Sequence, residues 1–144
     1  MRPRPYLRAY MAGIVVPTIV LIWIASVNAY HLFYVEVPTQ FVFGLPAQPL
    51  ERAILFPMAI VPNMWGVWNM LYMATRRWTH LSLATHGSFL PALLVPSGIL
   101  LGRTLDVFHV QMGYALLAIP VGMALYYLAW KFLVGFLNGE LGIA

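Results

Sequence analysis

The stretch Leu50–Arg77, LERAILFPMAIVPNMWGVWNMLYMATRR, decides how the chain is read. It is apolar enough to cross a bilayer, yet it carries Pro57, Pro62, Asn63, Gly66 and Asn69. On a helix turning about 100° per residue, Ala59, Pro62, Asn63, Asn69, Met70 and Met73 fall within about 60° of Gly66. Val61, Met64, Trp68 and Leu71 fall on the opposite side. One face is small and polar, the other bulky and apolar. An amide without a partner in hydrocarbon costs several kcal/mol, so the small face is expected to turn toward other helices. Gly66 is then expected at the closest helix–helix approach, with Asn63 and Asn69 buried on either side.

The rest of the chain fits a membrane setting. Of its 144 residues 62% are hydrophobic and 8% are charged, and the mean hydropathy is +0.81. Soluble domains carry about 25% charged residues, so a water-facing surface cannot be assembled from this composition. The formal charge of +4 comes from residues that flank apolar segments, which is a topology signal and not a nucleic-acid footprint. With no cysteine, disulfides, thiolate metal sites and thiol catalysis are excluded.

Working outward from Leu50–Arg77, apolar runs predict four spans, at about 9–34, 49–75, 86–101 and 110–136. The expected fold is all-α, a single polytopic four-transmembrane-helix bundle. Pro17, Pro57, Pro62, Pro91, Pro96 and Pro120 put at least one proline in each span, so the helices are expected to be kinked. The basic arm before the first span and Val27-Asn28-Ala29 resemble a signal-peptide cleavage site. The apolar run continues past Ala29, so the first span is read as uncleaved. Pro57 to Pro62 and Pro91 to Pro96 share the pattern Pro-x-x-x-Val-Pro, which nothing around them extends, and it is read as chance recurrence.

Orientation follows from the basic residues. With the N-terminus in the cytoplasm of an inner membrane, Arg2, Arg4, Arg8, Arg76, Arg77 and Lys131 lie inside, and Arg52 and Arg103 outside. This bias predicts both termini inside. Trp78, Trp130, Tyr10 and Tyr34 are expected in the aromatic belts at the interfaces, and Arg76, Arg77 and Trp78 at lipid headgroups.

Each span carries one stripe of small, kinking or polar residues. On the fourth it is His109, Gly113, Leu116, Pro120, Ala124, Tyr127 and Lys131. Facing stripes predict a bundle that packs through Asn28, Asn63, Gly66, Asn69 and Tyr127, either as a polar interhelical seam or as a path for a small, weakly charged solute or a lipid. No acidic residue sits mid-span, which weighs against a proton-driven carrier. His31 and His109 stand at the outer ends of the first and fourth spans, where two imidazoles on facing helices would suit a haem b iron. No other metal site and no hydrolytic or phosphate-cradling motif is visible. The expected role is a non-enzymatic membrane subunit or self-associating component. Its expected surroundings are the lipid bilayer and another membrane subunit or a second copy, with no nucleic acid. A transporter and a haem-bearing electron-transfer subunit are the alternatives.

Overall fold

The computed structural model describes residues 5–34, 41–42, 45–46, 60–104 and 112–143. Apart from a minimal antiparallel ladder, β1 (Phe41–Val42) with β2 (Leu45–Pro46), these residues are helical or in short turns. The helices are α1 (Pro5–Tyr34), α2 (Ile60–Thr79), α3 (Leu83–Ser88), α4 (Leu90–Thr104), α5 (Met112–Ala129) and α6 (Gly135–Glu140). A π-helical turn, Trp130–Val134, joins α5 to α6.

Among the described residues, three segments are long and apolar enough to cross a membrane: Pro5–Val27, Leu83–Thr104 and Leu117–Glu140. α1 and α5 are apolar on nearly every side, as a helix surrounded by lipid or protein must be. α2 has 20 residues but stands outside this set. Asn63, Asn69, Arg76 and Arg77 lower its apolar character, and the apolar residues that precede it lie outside the described part. The start of the expected second span, at residue 49, lies outside the described residues as well.

Local signals account for the helix ends. Ser82 caps α3, its hydroxyl accepting from the Thr85 amide at 3.1 Å. Between α3 and α4 the backbone turns at Phe89. Pro91 has no N–H with which to continue the ladder back to Gly87. Pro17, Pro96 and Pro120 lie inside α1, α4 and α5, which continue past them. α6 ends in a Schellman turn: Ile143 N–H bonds Asn138 O at 2.8 Å and Gly142 N–H bonds Gly139 O at 3.0 Å. Gly142 sits at φ +64°, a conformation that glycine adopts without steric cost.

The helices form two antiparallel hairpins. In the first, α1 runs against α2, with Ala9 beside Asn69 and Gly13 beside Gly66. In the second, α3 and α4 run against α5 and its continuation, with Gly87 on Trp130 and Pro91 on Gly122. The hairpins meet at a core of Trp65, Leu90, Trp130 and Val134. Trp65 and Trp130 pack with ring centroids 5.4 Å apart, and Trp65 and Tyr126 at 4.7 Å. A second, smaller cluster holds Ala9, Ala12 and Ile143.

Two sequence expectations are corrected here. Trp130, expected in an interfacial belt, is 0% exposed. Gly87 lacks the side chain that would occupy the position of the Trp130 indole, and the ring fills that slot. Trp68, assigned to the bulky face turned away from protein, is half-buried and donates from Nε1 to His86 O at 2.8 Å.

Candidate functional site

One cluster of buried polar residues lies where the N-terminal half of α1, the middle of α2 and the C-terminal turn of α6 converge. Asn69 is its centre and is 0% exposed. Its Nδ2 donates to Ala9 O at 2.8 Å and to Asn138 Oδ1 at 2.8 Å. Asn138 Nδ2 donates back to Asn69 Oδ1 at 3.2 Å. The α1 carbonyl is reachable because Ala9, Ala12 and Gly13 present almost no side chain there. A Cβ on Gly13 would lie 2.6 Å from Trp65 O and 2.8 Å from Gly66 Cα. A Cβ on Gly66 would lie 2.6 Å from the Tyr10 ring and 2.8 Å from Ile14 Cγ2.

Two arginines tie the same region to the C-terminal turn. Arg8 Nη1 donates to Leu141 O at 3.0 Å and Arg76 Nη1 to Ile143 O at 3.2 Å. A Schellman turn leaves such carbonyls without helical partners, and a guanidinium is well suited to reach them. The N-terminal part of α1, the α2–α3 turn and the end of α6 therefore lie at one end of the molecule. Arg76, expected at a lipid headgroup, also holds a backbone carbonyl through Nη1. Arg77 and Trp78 are exposed, Trp78 by 81%.

Asn63 departs from the expected burial: it is exposed, and Tyr10 donates its hydroxyl to Asn63 Oδ1. It lies one turn beyond Gly66 toward the start of α2, at the rim of the α1 contact. Tyr127 is also exposed and does not join the asparagines; it lies beside Lys131, Ser82, Leu83 and Ala84. The side chains of Asn28 and His31, and the whole of His109, lie outside the described residues, and with them the haem b reading. Among the described residues no three His, Asp or Glu side chains come together in a metal-binding group.

A second polar knot surrounds His86, which is 6% exposed. Its ring lies 5.1 Å from Trp68 and 5.4 Å from Tyr72, centroid to centroid. Among the described residues, the buried His86 Nδ1 and Trp130 Nε1 find no hydrogen-bond partner. Asn138 and Arg8 are the members of these networks that the sequence pattern did not single out. Asn138 reads as a helix terminator and Arg8 as a topology charge, and both those signals are real. Neither announces a partner about 70 or 130 residues away.

No protein-family model, no curated protein and no solved structure matches this chain.

Proposed function

We propose that the chain is a four-span integral membrane protein of a cytoplasmic membrane, with α2 as the remaining span and both ends on the cytoplasmic side. In this reading it is a non-enzymatic component that packs against a second copy or a larger membrane subunit. The observation that supports it is where the polar and apolar side chains go. Asn69 and Asn138 spend their hydrogen bonds on each other and on Ala9, and Asn63 is bonded to Tyr10. These amides act as interhelical fasteners and leave little to line a solute path. The apolar surface, by contrast, is mostly turned outward. Only 22% of the Pro5–Val27 window and 11% of the Leu117–Glu140 window are buried. That surface suits lipid and neighbouring transmembrane helices.

The orientation has its own support. Arg8, Arg76, Arg77 and Lys131 belong to the segments that gather around the C-terminal turn, whereas Arg103 closes α4 at its far end. Positive charge of this kind favours the cytoplasmic side.

Native mass spectrometry from mild detergent tests the role. A homo-oligomer or a complex with a second membrane protein is the expected result. A monomer that sustains saturable solute uptake into liposomes, lost in Asn63→Leu with the fold intact, would replace this reading with a transporter.

A further inference from the structure

Lys131 stands apart from the other charges of the described spans. Arg8, Arg103 and Glu140 are at span ends, whereas Lys131 lies before the end of Leu117–Glu140, across a groove from Ser82 and Leu83 at the start of the neighbouring span. An ionisable side chain within a span is expensive unless it has a partner or reaches the interface. Among the described residues no acidic side chain meets it, and its ammonium lies 5.2 Å from the centroid of the Phe132 ring. It borders a groove of about 250 Å³ lined by Ser82, Leu83, Ala84, Tyr127 and Lys131. Tyr127 and Lys131 are four residues apart and so share a helix face. On the opposite wall, Ser82 and Thr85 share a hydroxyl–hydroxyl bond of 2.8 Å in which either oxygen can donate.

We propose that this groove binds the phosphate of an anionic phospholipid. Lys131 supplies the charge and Tyr127 a phenolic donor. Ser82 adds a hydroxyl that can turn from Thr85 to the ligand. Leu83 and Ala84 give the glycerol and first methylenes an apolar wall. A cation that meets no acidic side chain among the described residues and a polar edge, set in a mostly apolar groove on a surface made for lipid, match an amphiphilic anion better than a fully hydrated one. The site is distinct from Arg76, which does not line the groove and donates from Nη1 to Ile143 O.

The proposal rests on the membrane-spanning reading, and the experiment separates the two. The protein is reconstituted into phosphatidylcholine vesicles with and without phosphatidylglycerol, and flotation reports insertion. Failure to float overturns the spanning reading and this one with it. The floated samples, transferred to nanodiscs of the same lipids, are analysed by native mass spectrometry. Wild type is expected to retain phosphatidylglycerol in preference to phosphatidylcholine. Retention is expected to fall about fivefold in Lys131→Gln, the loss of one cation near the surface. It is expected to fall less in Tyr127→Phe and to persist in Lys131→Arg. Inorganic phosphate is expected not to displace the lipid. Equal retention by wild type and Lys131→Gln overturns the proposal. Displacement by inorganic phosphate overturns the lipid assignment. Carbodiimide coupling of Lys131 to a carboxylate of a second protein chain, with no retained lipid, gives the groove to a protein partner and likewise overturns it.

Discussion

Asn69 and Asn138 form a reciprocal amide pair, each donating to the other's side-chain oxygen, at 2.8 and 3.2 Å, with both residues buried. The pair joins the two hairpins at the level where α1 also contributes Ala9 O. Removing one amide leaves its partner desolvated and unpaired, which costs more than the bond itself contributes. Asn69→Leu and Asn138→Leu should each destabilise the fold by about 1 to 2 kcal/mol, near the upper range for interhelical bonds in membranes. Asn69→Leu should be the worse, since it also frees Ala9 O. The double variant should lose less than the sum, because no orphaned amide remains. Unfolding of the four proteins in mixed micelles gives the coupling directly, and strict additivity would refute a direct pair.

Gly13 and Gly66 face each other where α1 and α2 come closest, but the two are not equivalent. A Cβ on Gly13 meets backbone, Trp65 O at 2.6 Å, which can yield only if a helix moves. A Cβ on Gly66 meets the Tyr10 ring and Ile14 Cγ2, which can rotate away. Overpacking of this kind costs about 1 to 3 kcal/mol. Gly13→Ala should fall at the upper end, Gly66→Ala at the lower, and Gly66→Leu should match or exceed Gly13→Ala. Thermal unfolding in one detergent orders them, and a harmless Gly13→Ala would show that the helices are farther apart than described.

The contrast between Asn69 and Trp130 shows what the amino-acid pattern reveals. The helical phase around Gly66 is a local property, so the burial of Gly66 and Asn69 is readable from the residues between them. The phase is less informative for Asn63. It lies at the rim of the α1 contact, and a 60° offset there is enough to expose it. Trp130 is a different case. An indole near the end of an apolar span has the composition of a belt residue, and its burial depends on a missing side chain at Gly87, 43 positions earlier. Apolar span lengths likewise mark which helices can cross a membrane. They do not tell which hairpin Asn138 will meet, because that depends on the packing angle between hairpins.

The Gly87 slot makes its own prediction. A methyl group at residue 87 would collide with Cγ and Cδ2 of Trp130, and the indole has little room to retreat between Trp65 and Val134. Gly87→Ala should therefore cost about 1 to 3 kcal/mol. Trp130→Leu should also cost stability through lost apolar contact and the cavity it leaves. Combined, the two should recover part of the loss, because the smaller side chain makes space for the methyl. The yield of folded protein from detergent, with thermal stability of each variant, tests this. A double variant worse than the sum of its parts would place the clash elsewhere.

His80 carries the α2–α3 turn at φ 51°, in the left-handed region where an L side chain crowds its own carbonyl. It is exposed, so its side chain gains little from burial to offset that strain. Glycine relieves the crowding, which is worth about 1 to 2 kcal/mol, and gives back part of this through greater freedom in the unfolded chain. His80→Gly should thus be neutral or stabilising by up to about 1 kcal/mol. His80→Asn should be close to wild type, and His80→Val should lose about 1 kcal/mol or more, since branching at Cβ is least tolerated there. Because the α2–α3 turn positions Ser82 on the groove beside Lys131, a stabilised turn should leave lipid retention intact. Thermal unfolding of the three variants decides the point. If glycine and asparagine are both as damaging as valine, the imidazole itself holds the turn, and backbone strain is not what residue 80 is selected to bear.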